Sequence, residues 1–415
     1  MTSAERHELR YQRRKARRSA RKAEKYAVHD NYDWVFSYDH LYQSYKMCRR
    51  NVAWKASVQK YIVQAPLNVW QTYESLQKGK YKSSGFYEFD IFERGKHRHI
   101  RSVTINERIV QRCLCDCALV PMLERTHVYD NGACMKNKGY TFTVNRLCQH
   151  LQKHYRKYGT EGYVLLFDFS KFFDRVSHRI IKATLRKEFS DERLIKITEH
   201  FIDAFGDVGL GLGSQISQVL ALSSANKLDH YIKEVCRIKG YGRYMDDGYL
   251  IHHSKEYLQK CLEGIKKLCD ELEITLNVKK TQIVKLSHGF TFLKIRFFLL
   301  DSGRIVRKIY RRSVTKMRRK LKSLRRKVDE GKMSYTDVYQ SWQSWKSYAV
   351  NFDAYRTIQN MSALYNSLFV VPPTLYRGGV AIVIHSYKFN DKPATLSRVA
   401  GFYISRKGVI ANERI

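Results

Sequence analysis

The chain has 415 residues, and its 76 lysines and arginines against 39 aspartates and glutamates give it a formal charge of +37. A field of that sign favours a polyanionic partner such as nucleic acid. No apolar stretch reaches the roughly 18 residues that a membrane-spanning helix needs, and the basic start leads into no apolar signal segment. We therefore expect no membrane partner and a cytoplasmic protein.

The first element in chain order is a strongly basic segment, residues 10–25, within an N-terminal extension of residues 1–30. Its alanines and arginines favour a helix, and it contains no proline or glycine. Repulsion between like charges leaves such a helix marginal until phosphates neutralise them. We predict an RNA-binding arm, with a solvated tail as the alternative.

Three of the nine cysteines, Cys113, Cys115 and Cys117, lie within residues 108–120. They alternate too closely for a standard zinc site. The pattern around them predicts an amphipathic helix in which cysteine acts as a small apolar residue. Because the nine are odd in number and mostly scattered, a disulfide framework is not expected either.

Carboxylates follow two predicted strands. Asp168 ends an apolar run at residues 163–167, and Asp246 and Asp247 lie in a turn within residues 241–252, between two β-prone runs. Phosphoryl transfer can use two Mg²⁺ ions about 3.5–4 Å apart, which need hard oxygen ligands. The three aspartates are therefore a candidate metal site, and a solvated turn is the alternative for the adjacent pair.

Three other segments also allow structural predictions. Residues 209–218 form a turn whose alternate glycines allow close approach to a base pair or phosphate. Within the basic residues 304–327, helical spacing predicts one packed face under a basic one. Its apolar positions are Val314, Met317, Leu321, Leu324 and Val328. Residues 378–385 and 400–405 predict short strands of a small appendage.

The order of these segments resembles the palm of a bacterial or phage reverse transcriptase, from about Gly95 to about Trp345. The signature is Tyr-Met-Asp-Asp at residues 244–247, preceded by the strand that ends at Asp168. The glycine-rich turn has Leu212 before its central glycine and Ser-Gln at its end. That form resembles the enzymes of diversity-generating retroelements, while antiphage-defence reverse transcriptases share the same palm.

The resemblance implies an α/β right-hand polymerase fold with an antiparallel palm sheet, helical fingers and a helical thumb. After the N-terminal extension, the implied domains are fingers and palm at residues 31–300, thumb at 301–370 and an appendage of unknown role at 371–415. Residues 290–297 stand where a primer-gripping hairpin belongs, with Lys294 where the family often has glycine. Trp342 and Trp345 are expected to pack helices of the thumb.

The resemblance also implies roles at the nucleotide. Lys96, Arg98 and Arg101 would meet the triphosphate and neutralise charge in the transition state. Phe173, five residues after Asp168, would stack under the sugar and exclude a 2′-hydroxyl, so that DNA is the product.

Further residues would surround the primer and the template. Gly213 and Gln218 belong to the motif that contacts template and nucleotide in the family. Tyr244 and Met245 would shape the floor beneath the primer end. Lys280 would assist proton transfer to the leaving pyrophosphate, with its neighbour Lys279 or a merely solvated lysine as alternatives.

The implied function is an RNA-directed DNA polymerase that uses deoxynucleotides, a DNA primer and two Mg²⁺ ions, with Mn²⁺ possible. In a diversity-generating retroelement it would copy a repeat RNA and need a small basic accessory protein. In antiphage defence it would copy a neighbouring noncoding RNA. A catalytically idle RNA-binding protein and an RNA-dependent RNA polymerase are the rivals, against which the intact aspartate triad and Phe173 respectively argue.

Overall fold

The computed structural model describes residues 2–93, 96–369, 403–404 and 410–411. Two compact units lie within Met1–Thr315 with Tyr348–Tyr355 and within Lys316–Ser347 with Arg356–Ile415. The predicted appendage lies outside the described residues, apart from two paired dipeptide strands, Tyr403–Ile404 and Ile410–Ala411. The predicted strand at residues 378–385 lies wholly outside them.

Helices precede, connect and follow the strands. The α-helices are α1 Ser3–Ala27, α2 Tyr32–Val35, α3 Tyr38–Cys48, α4 Ala56–Val63, α5 Ala65–Gln77, α6 Ile105–Leu114, α7 Val120–Glu124, α8 Tyr140–Tyr158, α9 His178–Glu188, α10 Glu192–Asp203, α11 Gln215–Ser224, α12 Asn226–His230, α13 Lys255–Glu271, α14 Arg311–Asp329, α15 Tyr335–Ala349 and α16 Tyr355–Phe369. The strands are β1 Phe86–Glu93, β2 Lys96–Val103, β3 Tyr163–Asp168, β4 Gly240–Tyr244, β5 Asp247–His252, β6 Gln282–Lys285, β7 Phe290–Phe292, β8 Ile295–Leu299, β9 Ile305–Ile309, β10 Tyr403–Ile404 and β11 Ile410–Ala411.

Four strands form a central antiparallel sheet in the order β4, β5, β3, β6. The apolar run predicted as a buried strand is β3. On one face of the sheet, Leu165 and Phe167 pack in the cluster that includes α13; on the other, Val164 and Leu166 pack with α8. Because both faces of β3 are covered, its sequence is continuously apolar instead of alternating. The predicted class, helices with an antiparallel sheet, is confirmed.

The segment that resembles a primer-gripping hairpin is a hairpin in the structure. Strands β7, β8 and β9 form a separate antiparallel sheet. Between β7 and β8, Leu293 and Lys294 have positive φ angles of 48° and 63°. Two consecutive residues of this kind are typical of a two-residue hairpin turn, where glycine or asparagine is the usual choice.

The basic segment at residues 304–327 divides between two elements. Residues 305–309 form β9, because they pair with β8, and the helix α14 begins only at Arg311. Its predicted apolar positions are buried or half-buried, with Met317, Leu321 and Leu324 fully buried. In the second unit Trp342 is buried between the rings of Trp345 and Tyr365, with ring-centroid distances of 5.4 and 5.2 Å. Trp342 therefore packs α15 against α16, as predicted, and Trp345 stacks on it within α15.

Two of the three closely spaced cysteines are buried, as predicted for small apolar residues: Cys113 in α6 and Cys115 in the π-helical turn Cys115–Leu119. Cys117 lies in the same turn and is half-buried, and all nine thiols are free. Burial raises the pKa of the Cys115 thiol well above its ordinary value.

Among the described residues, no helix combines the length and apolar character needed to cross a membrane.

Candidate active site

Strand pairing brings the two acidic segments together. Asp168 ends β3, and its partner in the antiparallel register is Asp247, the first residue of β5. Asp246 occupies the turn between β4 and β5, and its carbonyl accepts the backbone N–H of Phe169 at 3.2 Å. Met245, just before it, has a φ of 54°, which bends the chain sharply at this point. All three predicted aspartates therefore lie at one end of the central sheet.

The pKa of Asp247 reflects both its burial and the neighbouring carboxylates. Burial and the neighbouring Asp246 and Asp168 raise that pKa to about 7. Opposite them, the Lys280 ammonium lies 2.6 Å from a carboxylate oxygen of Asp168. Although partial burial opposes its charge, this hydrogen bond and the carboxylates raise the pKa of Lys280. The site thus concentrates negative charge that the protein offsets only in part.

The ligand chemistry of the site fits a hard divalent cation. Asp168, Asp246 and Asp247 supply oxygen donors, and a bound cation would relieve the repulsion that raises the pKa of Asp247. In the described part of the chain, however, no three His, Cys, Asp or Glu side chains already converge on a metal position. The Lys280 ammonium instead holds one Asp168 oxygen, and Asn277 donates to the other at 3.2 Å.

A cavity of about 700 Å³ opens beside the carboxylates. Its walls come from β2, the end of β3, the glycine-rich turn and the segment before β6. Five predicted site residues line it: Arg98, Asp168, Phe173, Asp246 and Lys280. A volume of this size suits a small-molecule ligand.

The two phenylalanines after β3 have different environments. Phe172 is buried in the core cluster at 6% exposure, whereas Phe173 is half-buried; both reach the cavity wall. The backbone of Phe173 is fixed by the N–H of Leu210, which donates to its carbonyl at 2.7 Å. Phe173 can therefore meet a ligand, while the core takes up most of Phe172.

Two predicted residues are engaged elsewhere. The Arg101 guanidinium pairs with Glu88 at 2.9 Å and donates to the Phe205 carbonyl at 2.9 Å, and Arg101 is not among the residues that line the cavity. Gly213 has a φ of 117°, and a Cβ there would lie 2.9 Å from the Arg101 carbonyl oxygen. The glycine lets the turn pack against β2, where the Arg101 N–H donates to the Leu212 carbonyl. The side chain of Lys96 lies outside the described residues.

Three others gather around an exposed thiol. Tyr244 and Met245 pack against a small buried cluster, and the Cys134 sulfur lies 4.0 Å from the Met245 sulfur. The same thiol lies 3.7 Å from the Gln218 side-chain oxygen. Gln218 is exposed on α11, and Tyr244 is half-buried. These residues flank the turn that carries Asp246 and Asp247 without lining the cavity.

Sequence reasoning missed a buried ion pair beneath the turn. Arg243 and Asp229 are both fully buried, and Arg243 donates to the two Asp229 oxygens at 2.7 and 2.6 Å. Arg243 also donates to the Met245 carbonyl at 2.8 Å and to the Leu222 carbonyl at 3.1 Å. This pair supports the backbone of the acidic turn. Arg243 lies within the segment of residues 241–252 that the sequence singles out, but Asp229 has no local signal.

Asn277 and two histidines were also missed. Asn277 donates its backbone N–H to the Asp168 carbonyl at 2.7 Å as well as its side-chain amide to the carboxylate, and its position three residues before Lys280 could have suggested it. His97 and His99 line the cavity and pair with Asp90 at 3.2 and 3.0 Å. Their alternation in β2 was the available signal.

One family model matches this chain. A model of reverse transcriptases (RNA-dependent DNA polymerases) matches residues 82–297, about half of the chain. Protein YkfC of Escherichia coli (strain K12) is 25% identical over 248 residues, which cover 48% of this chain and 62% of that protein. The chain thus spans about three fifths of the length of this curated relative.

Solved telomerase structures are similar over part of their length. Apo telomerase from Candida tropicalis gives a TM-score of 0.42 at 14% identity, covering 55% of this chain and 49% of that one. Telomerase from Candida albicans with a TWJ fragment of telomeric RNA gives 0.44 at 11% identity, covering 68% and 54%. In these pairs this chain matches about half of the telomerase chain.

Proposed function

The chain belongs to the reverse transcriptase family, the RNA-dependent DNA polymerases, and from that premise we propose that it copies an RNA template into DNA. One observation carries the proposal. Asp168 and Asp246 stand at the wall of a cavity that Arg98 and Phe173 also line, and Asp247 is the strand partner of Asp168. Residues 31–300 would then be fingers and palm, and α14, α15 and α16 the thumb.

The reaction joins the 3′-hydroxyl of a DNA primer to the α-phosphate of a deoxynucleotide, releasing pyrophosphate. Mg²⁺ bound by Asp168, Asp246 and Asp247, two ions in the full site, would stabilise charge on the attacking and leaving oxygens, and Mn²⁺ is the alternative. Arg98 holds the triphosphate by charge. The Lys280 ammonium, kept protonated by its carboxylate neighbours, can donate a proton to the leaving pyrophosphate.

Phe173 supports a deoxynucleotide substrate. Its partly exposed ring faces the cavity in which the sugar would lie, and a ring there leaves no room for a 2′-hydroxyl. The observation favours DNA synthesis over RNA synthesis, so we place the RNA-dependent RNA polymerase second. Comparing single-nucleotide incorporation of ribonucleotides and deoxynucleotides separates the two.

The activity test is primer extension on an RNA template. The Asp246→Ala, Asp247→Ala double variant should lose at least about 10³-fold in rate, because it removes the carboxylates that stabilise the transition-state charge. Asp270→Ala, Glu271→Ala is the matched control, since these adjacent acids are exposed on α13. Equal activity in both variants would contradict the proposal, and RNA binding without extension in the wild type would favour the idle scaffold.

We place the enzyme in a diversity-generating retroelement of a bacterium or phage, working in the cytoplasm. The support is the form of the glycine-rich turn, in which Leu212 precedes Gly213. Its template would be a repeat RNA and its partner a small basic accessory protein. Sequencing the RNA and DNA that co-purify with the protein, expressed with its native flanking DNA, tests this role. DNA copied from a neighbouring noncoding RNA would point to antiphage defence instead.

A further inference from the structure

Among the described residues, the contacts that anchor the N-terminal helix α1 lie at its C-terminal end. It begins with a capping box in which Thr2 and Glu5 exchange hydrogen bonds. Every described side chain from residue 2 to residue 24 is exposed. Just after the helix, the His29 ring bonds to the Cys117 carbonyl at 2.6 Å, and Asp30 accepts the N–H of Ser190 at 2.8 Å. The C-terminal end of α1 is therefore held in place, and the rest of the helix is a long, solvent-exposed, basic surface.

Physical chemistry makes α1 unstable by itself. Protein helices gain most of their stability by burying an apolar face, and the described side chains of α1 before Tyr26 bury none. Arginines also recur four residues apart, as at Arg6 and Arg10 and at Arg13 and Arg17, and like charges at this spacing repel. A polyanion along the helix would remove that repulsion, so the surface fits an anionic partner.

Sequence and exposure narrow the choice of polyanion. A helix that lies on a membrane needs a broad apolar face, whereas the large apolar side chains exposed here are Leu9 and Tyr11. Single-stranded nucleic acid is held mainly by rows of stacking aromatics, and Tyr11 alone does not form a row. Arginines without stacking partners suit the regularly spaced phosphates of base-paired RNA, to which arginine-rich segments fold on binding.

We propose that α1 binds the phosphates of a base-paired segment of the RNA, as a contact separate from the catalytic cavity. The described residues that line the cavity include none from α1. At 25 residues the helix is roughly 37 Å long, enough to follow phosphates across a groove. The inference rests on the proposed function for the identity of the nucleic acid, but it concerns recognition of the RNA and not nucleotide addition.

The test compares two variants of equal charge. One carries Arg10→Gln, Arg13→Gln, Arg17→Gln and Arg21→Gln in α1; the other carries Lys255→Gln, Lys260→Gln, Lys266→Gln and Lys267→Gln, all exposed, in α13. Glutamine keeps helix propensity close to that of arginine and lysine, so helix loss does not explain a difference. Binding of a hairpin RNA and of an unstructured oligonucleotide is measured at 50 to 300 mM salt.

For the hairpin, the α1 variant should bind at least tenfold more weakly at 100 mM salt. The slope of log K against log salt is negative, and its magnitude should decrease by about 3 in the α1 variant. Each lost phosphate contact removes roughly 0.7–0.9 from that magnitude. The α13 variant should change by less than threefold. The rate of extension of a preformed primer–template should stay within twofold of the wild-type rate in both variants. Failure of the wild type to extend the primer would refute the proposed function and leave this inference standing.

Three results would overturn the inference. Equal weakening by the two variants would mean that only the overall field matters. Equal weakening for hairpin and unstructured RNA would remove the specificity for paired RNA. Sedimentation of the wild type, but not the α1 variant, with phosphatidylserine vesicles, together with unchanged hairpin binding, would assign α1 to a membrane surface.

Discussion

The buried Arg243–Asp229 pair leads to a quantitative prediction about the turn that carries Asp246 and Asp247. Both side chains are fully buried, and two hydrogen bonds of 2.7 and 2.6 Å join them. The Tyr241 hydroxyl also donates to Asp229. Asp229→Asn keeps the volume of the side chain but leaves the Arg243 guanidinium without a counter-charge. Breaking a buried ion pair from one side costs about 3–5 kcal/mol.

That free energy should appear as a lower melting temperature. At roughly 1–2 °C per kcal/mol for a unit of this size, extrapolated from smaller domains, Asp229→Asn should melt about 3–10 °C below the wild type. The matched control is Glu271→Gln, at the end of α13. It breaks the ion pair of Glu271 with Lys227, which lies on α12 as Asp229 does. Those side chains are 60% and 64% exposed, so the control should lose less than about 1 kcal/mol. Differential scanning calorimetry measures both.

Two outcomes decide the argument. A melting temperature for Asp229→Asn within about 1 °C of the Glu271→Gln control would refute it, because an uncompensated buried charge is expected to cost about 3–5 kcal/mol of stability. The double variant Asp229→Asn, Arg243→Met should recover much of the lost stability by removing the unpaired cation. If it melts lower than Asp229→Asn alone, the hydrogen bonds of Arg243 to the Met245 and Leu222 carbonyls outweigh the charge.

Further predictions concern the cavity and acid stability. Phe173→Val should raise the ribonucleotide-to-deoxynucleotide ratio of kcat/KM roughly 10- to 100-fold, as single-nucleotide extension would measure. Lys280→Gln should lower kcat by about 10²-fold or more with little change in nucleotide KM, while Lys279→Gln should not. Burial lowers the pKa of His150 to about 4. Because this lies below the unfolded value near 6.5, its stabilisation is complete above pH 6.5 and is lost as pH falls through 4. His150→Gln should therefore show a flatter decline of melting temperature over that window.

Local sequence patterns were enough to find the candidate carboxylates. An apolar run that ends in Asp168 and a tight turn that carries Asp246 and Asp247 are short-range features, and antiparallel pairing of adjacent strands sets their ends side by side. The offset of Phe173 from Asp168 is equally local. These residues depend on strand boundaries and turn geometry, which the sequence specifies within a few positions.

Contacts between residues that are far apart in the sequence could not be predicted in the same way. Arg101 reads as a free cation in sequence, yet the fold gives it Glu88 and the Phe205 carbonyl. The start of α14 depends on whether residues 305–309 find an edge of β8 to pair with, which no local pattern reveals. Asp229 lies on a short helix and becomes important only because β4 places Arg243 against it. Such contacts follow from the topology of the whole unit.

The turn that carries Asp246 and Asp247 is locally unfavourable, and its place in the fold explains how it persists. Met245 has a left-handed backbone without being glycine, which costs on the order of 1 kcal/mol. Burial and the neighbouring Asp246 and Asp168 raise the pKa of Asp247 to about 7, and Arg243 with Asp229 gives up hydration. All three adjoin β3 and β5, whose faces are packed on both sides. Strain of this kind survives where the surrounding structure over-determines it, and here the most buried strands carry the residues that the proposed chemistry needs.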